Sequence, residues 1–600
     1  MKGNDNIKSY ELWGFRIFTA WCVVSLLYII NAYKEDINMY EIKSVNSVNF
    51  FIFVILFFST LMILTSINIF SKKWYSDIVI CCIFVPLYFV FMMYEKTDVY
   101  LCTVLILFIY IGLTYIFNRF PAQCEKIKIS NKQMYMLIIL SALFFILYLG
   151  TLSLLRYLNM KSPSYDFGIF SQMYYYMKET FMPLVTCERD KLLSHFNVHI
   201  SPALYIILPI YYIFPTPATI LVMQILILAS GVIPLYLICK NRKLSNFITA
   251  CICITYIFYP AMQGGIFYDF HENKLLTPLI FWFIYFMEKE KKIPSVIFAI
   301  LVLFVKEDAP IYIACICLYY IITYKDKKNK IFSFWIFVFS CIYFLGAVTY
   351  LSKIGDGAMT GRFKNFLVNT DDSLLTIFVN IIKNPAYFFS QLMTVDKLEF
   401  MLWTIIPLAF IPFLSRKIST YILFLPYLLF HLISNYPYQH SIFFQYTYGS
   451  LSLMFFIVVI FFSEVNSGVY IKKSYNKYAI MMVCAALIMS TSAITPKNYY
   501  IDEAKNNMEQ YNKVREAFKE YIPDDASVEA SSYYVVPLSS RKKIYHLGTV
   551  RLCDYIVYDL RMQSDQEKII EYQKEKENLG YEVICEIDGL VRILKSPNAK

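Results

Sequence analysis

The chain has 600 residues, of which 58% are hydrophobic and 16% are charged, and its formal net charge is +11. Soluble globular proteins have about 45–50% apolar residues. Here the excess falls in repeated apolar runs separated by short loops rich in Lys and Arg. This pattern excludes an ordinary soluble protein and predicts an all-α polytopic membrane bundle. Because the basic residues belong to the loops, the positive charge does not indicate a nucleic-acid partner.

The apolar runs predict about fifteen transmembrane helices, since a span needs roughly 20 apolar residues. In chain order they are 13–33, 48–70, 77–95, 98–118, 134–158, 216–239, 246–263, 275–288, 293–305, 309–324, 331–351, 403–414, 418–434, 441–463 and 479–496. The segment 203–214 is apolar but follows Pro202 and ends at Pro215. We interpret it as a helix at the membrane surface, not as a span.

The basic loops predict the orientation of the chain. With these spans, every cluster of Lys and Arg lies on the side of the N-terminus, which is the cytoplasmic side. The clusters are Lys72–Lys73, Arg119–Lys132, Lys240–Lys243, Lys289–Lys292, Lys325–Lys330, Arg416–Lys417 and Lys472–Lys477. We therefore expect a multi-pass protein of the cell membrane with a cytoplasmic N-terminus. The polar segments 159–215, 264–274 and 352–402 then lie together on the outer face.

The composition divides the chain into three predicted domains. Residues 1–133 form a four-helix transmembrane module, residues 134–496 the transmembrane core, and residues 497–600 a soluble extracytoplasmic α/β domain. In the last, charged helices are predicted at 500–521 and 564–579 and strands at 527–531, 543–547, 555–560, 581–587 and 590–595. The final two strands turn at Asp588-Gly589, which is a hairpin signal.

Asp166 is the first candidate functional residue. It follows the fifth span directly, so we expect it at the outer mouth of the bundle, where an acid is costly unless it is solvated or partnered. Alternatively, Asp166 caps the helix that follows, as the turn at Gly168 would allow. The local sequence leaves both readings open.

Two loops contain further ionisable residues. His195 and His199 are spaced i, i+4 and would share one face of a helix. Such a pair binds metal or phosphate, but a lone pair is weak evidence for a metal, and Pro202 ends any helix there. Asp269, His271 and Glu272 crowd a short loop between two spans. This loop is either simply solvated or partly embedded.

The strongest local signal is Lys306-Glu307-Asp308, which interrupts a run that is otherwise apolar from 293 to 322. Each of these residues costs about 2.5–3.5 kcal/mol at membrane depth. A simple turn between two short spans does not require this triplet, so we favour a function. Arg362 and His440 add cationic groups in other outer segments. Acids and cations at one mouth suit a phosphorylated lipid headgroup and an acceptor that must lose a proton.

These residues stand in strings that resemble a known family. The strings are Asp166 to Phe170, His195 to Pro202, Phe214 to Thr219, Asp269 to Glu272 and Val305 to Asp308. In order and spacing, over about 134–350, they resemble a family of predicted polytopic membrane proteins of unknown function, domain of unknown function 2079. Family members often read His-Phe-Ser-Pro where this chain has four more residues, which leaves open whether His195 or His199 is the equivalent one.

That family in turn looks like the GT-C membrane glycosyltransferases, which use sugars linked to polyprenyl phosphate. The resemblance implies that Asp166 is the catalytic base and that Lys306, with Arg362 or His195, stabilises the leaving lipid phosphate. The predicted catalytic residues are Asp166, Lys306, Glu307 and Asp308. The predicted substrate-binding residues are His195, His199, Asp269, His271, Glu272, Arg362 and His440. The acceptor is a glycan, a lipid or a protein.

A divalent metal is the cofactor that the resemblance allows. Some GT-C enzymes need Mg²⁺ or Mn²⁺, and Asp166, Asp269 and Glu272 offer oxygen ligands, although nothing in the sequence requires a metal. Two other functions stay open. A transporter or lipid flippase would explain intramembrane charges but predicts inverted repeats, and none is convincing here. A non-catalytic membrane scaffold would tolerate the loss of Asp166 and Lys306.

Overall fold

The computed structural model describes residues 9–599 except 36, 39, 42–43, 45–46, 72–74, 95, 125–126, 356–359, 368–373, 467–474, 550–551 and 562–565. Of the basic residues that set the predicted orientation, Lys72, Lys73, Lys126, Lys472 and Lys473 lie outside the described residues. Nine described segments are long and apolar enough to cross a membrane, and four shorter apolar helices accompany them. The chain is therefore a multi-pass membrane protein, while the number of fifteen spans stays a prediction.

The first six helices follow the predicted runs closely. They are α1 (Ser9–Lys34), α2 (Phe50–Ser71), α3 (Ser76–Met92), α4 (Val99–Arg119), the short α5 (Pro121–Cys124) and α6 (Asn131–Leu158). α6 begins where Ser130 and Gln133 form a reciprocal capping box, which satisfies two backbone donors at the helix start. At its other end α6 places Arg156 beside the first polar segment.

The central helices carry the core. They are α7 (Ile169–Thr180), α8 (Leu208–Ile213), α9 (Pro217–Ser230), α10 (Val232–Asn241), α11 (Asn246–Ile257), α12 (Pro260–Gly264), α13 (Leu276–Glu288), α14 (Lys292–Leu303), α15 (Pro310–Thr323) and α16 (Lys327–Lys353). α8 is six residues long, too short to span a bilayer, which agrees with our interpretation of 203–214. A two-residue β1 (Leu184–Val185) pairs antiparallel with β2 (Leu193–Ser194) in the first polar segment.

The next helices include the most irregular part of the bundle. They are α17 (Leu374–Lys383), α18 (Pro385–Leu392), α19 (Val395–Ile405), α20 (Ile418–Tyr421), α21 (Leu425–Tyr427), α22 (Tyr448–Asn466) and α23 (Asn476–Ile494). In the central segment 445–465, 94% of the residues of the apolar stretch are buried. In the segment 50–71 this share is 6%, so that helix lies at the periphery.

The predicted span 403–414 is wrong as a continuous helix. It leaves the α-helix after Ile405, because Pro407 and Pro412 each remove a backbone donor, and Ala409 and Phe410 adopt positive φ angles. The run 441–463 is confirmed as a long apolar helix with a later start, from Gln445 to Val465, and it begins with a 3₁₀ turn, Gln445–Thr447. That turn forms part of the site described below.

The C-terminal region contains α24 (Tyr499–Tyr521), α25 (Ser532–Val535) and α26 (Gln566–Asn578) with a five-stranded sheet. The strands are β3 (Val528–Ala530), β4 (Ile544–His546), β5 (Tyr555–Asp559), β6 (Glu582–Ile587) and β7 (Val591–Lys595), in the order β4-β3-β5-β7-β6. β3 is parallel to β4 and β5, and β7 is antiparallel to β5 and β6. These strands fall where the sequence predicted them.

This sheet docks on the first polar segment through neutral hydrogen bonds. The Tyr176 hydroxyl donates to the carbonyl of Lys542 at 2.6 Å, and Thr186 Oγ1 donates to the carbonyl of Ile544 at 2.7 Å. Ser539 Oγ donates to Ser171 Oγ at 2.6 Å. The C-terminal region is therefore attached to the segment that also carries Asp166.

Candidate functional site

A partly open cavity of about 470 Å³ lies where the three predicted outer segments converge. Five predicted site residues line it: Asp166, His199, His271, Lys306 and Arg362. They come from segments up to 196 residues apart in sequence, so the cavity is a product of the tertiary structure. Tyrosine and amide side chains complete its lining, from Tyr268, Asn435, Tyr436, Gln445 and Tyr446, together with Gly361.

Asp166 lies in a π-helical turn, Ser164–Gly168, that joins the end of α6 to α7. Its φ angle is +63°, a left-handed conformation that Asp tolerates better than most residues. No side chain caps α7, so the capping alternative for Asp166 is not observed. The side chain is half-buried and accepts a hydrogen bond from Tyr268. Burial, together with the nearby Glu272 and against the effect of Lys306, raises the pKa of Asp166 to about 6.

Lys306 is held by a buried carboxylate. Its Nζ lies 2.9 Å from Glu272 Oε1, and His271 Nδ1 lies 3.0 Å from Glu272 Oε2. Burial lowers the pKa of His271 to about 3, so its ring is uncharged at neutral pH and Lys306 supplies the counter-charge for Glu272. Although burial disfavours the ammonium, Glu272 raises the pKa of Lys306. Lys306 is thus a fixed cation on the cavity wall.

The side chain of His199 is oriented by Glu307, the residue that follows Lys306. Its Nδ1 lies 2.9 Å from Glu307 Oε1, and the backbone N–H of Ile200 donates to Glu307 Oε2 at 3.4 Å. Burial opposes the ionisation of Glu307, but His199 lowers its pKa to about 2. Burial and the adjacent Glu307 raise the pKa of Asp308 to about 6, against the effects of Lys306 and Arg362.

Arg362 is the second cation of the cavity. Its guanidinium lies 4.8 Å from the ring centre of Tyr436 and 5.0 Å from that of Tyr446. Stacking of this kind orients a guanidinium without neutralising it. The backbone carbonyl of Arg362 accepts from the N–H of Asn435 at 2.8 Å, which ties its short helix to the turn before α22. The cavity therefore places two oriented cations and aromatic rings opposite one acid with a raised pKa.

Four predicted substrate-binding residues, His195, Asp269, Glu272 and His440, do not line this cavity. His195 is buried behind it, with Nδ1 3.0 Å from Glu188 and its ring centre 5.8 Å from that of His199. Asp269 pairs with Arg156 at 3.2 Å and accepts from Ser162 at 3.0 Å. His440 Nε2 lies 2.5 Å from Asp396. Glu307 and Asp308 do not line the cavity either, but they and Glu272 lie next to the residues that do.

The predicted metal ligands are not gathered into a centre. Within the described residues, no group of three or more His, Cys, Asp or Glu side chains is arranged to hold a metal ion. Of the three proposed oxygen ligands, Asp269 is committed to Arg156 and Glu272 to Lys306. The residues present therefore do not fit a resident divalent metal.

Sequence reasoning did not identify several partners. Arg156 and Glu188 fix Asp269 and His195, and Gly361 and Asn435 line the cavity. An arginine close to the end of the apolar run 134–158 was an available signal, because such a charge needs a partner. No local signal marks Gly361 or Asn435, since their positions depend on the packing of distant segments.

Comparison with known proteins gives a family and a remote structural likeness. A family model described as predicted membrane protein (DUF2079) matches residues 156–592. No curated protein sequence matches the chain. Among solved structures, the crystal structure of ArnT from Cupriavidus metallidurans in the apo state is similar at a TM-score of 0.39 and 7% identity, covering 71% of this chain and 92% of that one.

Proposed function

The chain belongs to the DUF2079 family of predicted membrane proteins, and for this member we propose a glycosyltransferase that takes a sugar from a polyprenyl-phosphate donor on the outer face of the membrane. The observation that carries the proposal is the lining of one cavity: an acid with a raised pKa, two oriented cations and several tyrosines. An enzyme that moves a sugar between a phosphate and a hydroxyl needs these three kinds of group.

The acid suits general-base catalysis. A catalytic base works best when its pKa lies near the operating pH, and burial with Glu272 raises the pKa of Asp166 to about 6. At neutral pH Asp166 is then ionised and accepts the proton of an acceptor hydroxyl. Asp166 and Tyr268 both line the cavity, so the carboxylate is accessible to an acceptor bound there.

The cations suit the leaving group. Lys306 and Arg362 are held by Glu272 and by two tyrosine rings, so they are already oriented before a substrate enters. Preorganised charge of this kind stabilises the anion that develops in a transition state. His199, whose ring is oriented by Glu307, lines the same wall.

The proposed step is a single displacement. The acceptor oxygen attacks the anomeric carbon of the donor sugar as its proton passes to Asp166. The bond between the anomeric carbon and the phosphate oxygen breaks, and the electron pair leaves with the polyprenyl phosphate. The acceptor, a glycan, lipid or protein, gains the sugar, and no external oxidant, reductant or metal enters the balance.

The test is transfer of radiolabelled sugar from a panel of polyprenyl-phosphate sugars by the protein in nanodiscs. We expect Asp166→Asn to lower the rate at least about 100-fold, the range that a positioned base supplies. The matched control is Asp502→Asn, which neutralises an exposed acid on α24. Equal rates for wild type and Asp166→Asn would remove Asp166 as the base.

Two other outcomes separate the alternatives. If no donor in the panel is used and the protein in vesicles moves a lipid-linked sugar across the bilayer, the chain is a flippase. If neither transfer nor movement occurs and Asp166→Asn has no effect in cells, a scaffold role replaces the proposal.

A further inference from the structure

A second cavity lies beside the first, on the other end of the same short helix. It measures about 290 Å³ and is built from the 3₁₀ helix Thr360–Phe366, α17 and the start of α18. Gly361 and Arg362 line the first cavity, and Asn365 and Phe366 line the second. Side chains three residues apart lie on the same face of a 3₁₀ helix, and three residues rise roughly 6 Å along its axis. The second cavity therefore lies that distance further along the helix face that carries Arg362.

The lining of this second cavity is neutral and rich in amides. Its nine lining residues include Asn365, Asn380 and Asn384, three aromatic rings, and a single charged side chain, Lys383. No carboxylate is among these nine described residues, so they offer no charged ligand for a cation. One exposed lysine is a poor site for a multiply charged anion. Amides that both donate and accept, set among aromatic rings, suit an uncharged ring with several hydroxyls.

The amide of Asn365 has one atom that the protein does not satisfy. Its Nδ2 donates to Gln391 Oε1 at 3.2 Å, and its backbone carbonyl accepts from the Tyr387 hydroxyl at 2.7 Å. Its side-chain Oδ1 is buried and has no hydrogen-bond partner. A buried acceptor without a partner is a position to which a bound molecule, a water or a ligand, can donate. The other amides are anchored, because Asn380 Nδ2 donates to the carbonyl of Phe366 at 2.8 Å.

We propose that this second cavity binds a sugar unit of the acceptor, one position away from the hydroxyl that reaches Asp166. The inference rests on the proposed transferase function and narrows the acceptor from a glycan, lipid or protein to a glycan. A hydroxyl of the bound sugar donates to Asn365 Oδ1, and its ring packs against the aromatic side chains. The next unit extends along the 3₁₀ helix toward Arg362.

The experiment measures binding without requiring turnover. Wild type in nanodiscs, Asn365→Ala and Asn365→Asp are titrated with disaccharides built on glucose, galactose, mannose and N-acetylglucosamine, and binding is followed by saturation-transfer NMR. We expect at least one disaccharide to bind wild type and to bind Asn365→Ala about tenfold more weakly. Asn365→Asp keeps the side-chain oxygen but loses the bond to Gln391, so it separates loss of the acceptor atom from loss of local structure. It should bind like wild type.

Three results overturn the inference. They are no binding of any disaccharide to wild type, which would mean that the cavity holds water only; equal binding to wild type and Asn365→Ala; and equal loss in the Ala and Asp variants. Asp166→Asn, which keeps this cavity intact, distinguishes the two proposals. If wild type binds a sugar but transfers none, the transferase proposal fails and the sugar site stands. If Asn365→Ala transfers sugar with the acceptor KM of wild type, the sugar site fails and the transferase proposal stands.

Discussion

Buried charge occurs in two regions of this membrane bundle, and the two are built differently. In the first helices, Arg16 and Asp77 form a bidentate pair at 2.7 and 3.2 Å, and Asn68 and Thr65 bond to it at 3.1 Å. Around the first cavity, Lys306 is paired with Glu272, but burial and a neighbouring carboxylate outweigh the effect of Lys306 on Asp166 and Asp308, and they raise the pKa of both acids to about 6.

The presence or absence of a full set of partners within the protein separates structural from functional charges in such a bundle. A pair with every bond supplied by the protein has no capacity left for a ligand, and it serves to join α1, α2 and α3. Buried acids and cations that lack a full set of partners within the protein are destabilised. A substrate that pairs with them can then gain binding free energy. The comparison predicts that breaking a pair lowers stability in both regions but lowers sugar transfer only around the first cavity.

The largest effect should come from breaking each buried pair. Arg16→Met and Lys306→Met both leave a buried carboxylate without its cation, and each should lower the free energy of unfolding by about 3–5 kcal/mol. Only Lys306→Met should also lower sugar transfer per folded molecule, by at least about 100-fold. Thermal unfolding in detergent and transfer assays on the folded fraction measure the two effects. Loss of transfer in both variants would contradict the comparison.

The pH dependence of transfer should report the raised pKa of Asp166. The base is active when ionised, so kcat/KM should rise about tenfold per pH unit below about pH 6 and level off above it. The control is the folded fraction at each pH, to which every rate is normalised. A flat profile between pH 5 and pH 7 would show that Asp166 does not carry the proton.

A smaller effect of opposite sign is expected at Asp308. Its pKa is raised in the folded protein, so its contribution to stability is present below about pH 4 and is lost as the pH rises through about 6. Asp308→Asn should therefore stabilise the protein by about 1–3 kcal/mol at pH 7.5 and have little effect at pH 4.

The matched variant for that test is Glu307→Gln. Against the effect of burial, His199 lowers the pKa of Glu307 to about 2. The stability that ionised Glu307 contributes is therefore present above about pH 4 and is lost as the pH falls through about 2. At pH 7.5 the Gln variant should be less stable than wild type. Thermal unfolding of both variants at pH 4 and pH 7.5 shows whether each substitution stabilises or destabilises the protein. Equal changes of the thermal midpoint in the two variants would contradict the opposite pKa shifts of Asp308 and Glu307.

The smallest effect concerns the attachment of the C-terminal sheet. Tyr176→Phe removes one neutral hydrogen bond to the carbonyl of Lys542 and should cost about 1 kcal/mol. Hydrogen exchange in β4 should become faster, while transfer activity stays unchanged. Unchanged exchange would show that this bond does not hold the sheet to the first polar segment.

Much of the chain follows from local pattern. The apolar runs predicted α1 to α4 and α6, because each run is long enough to satisfy its own backbone inside a membrane. The strands of the C-terminal sheet followed from short β-branched runs and the turn at Asp588-Gly589. The failure at 403–414 has a local cause as well, since Pro407 and Pro412 are visible in the sequence but were outweighed by the apolar character of the run.

The site was predictable only in part. Asp166 and Lys306 were identifiable because charges at the ends of apolar runs need an explanation, and Arg362 was selected as a cation of an outer polar segment. Their roles were not, because the same reasoning selected Asp269 and His440, which pair with Arg156 and Asp396 and do not line the cavity. A carboxylate that is paired and one that is available look alike in sequence.

The sequence by itself determined that this is a multi-pass membrane protein and where its polar segments interrupt the bundle, because hydropathy and periodicity act over neighbouring residues. The tertiary structure decided which of the charges meet. Lys306 pairs with Glu272 and not with Asp166, and Arg362 stacks on two tyrosines from a turn more than 70 residues away. Such partners depend on how distant helices pack, and a pKa depends on the burial and the charges that this packing creates.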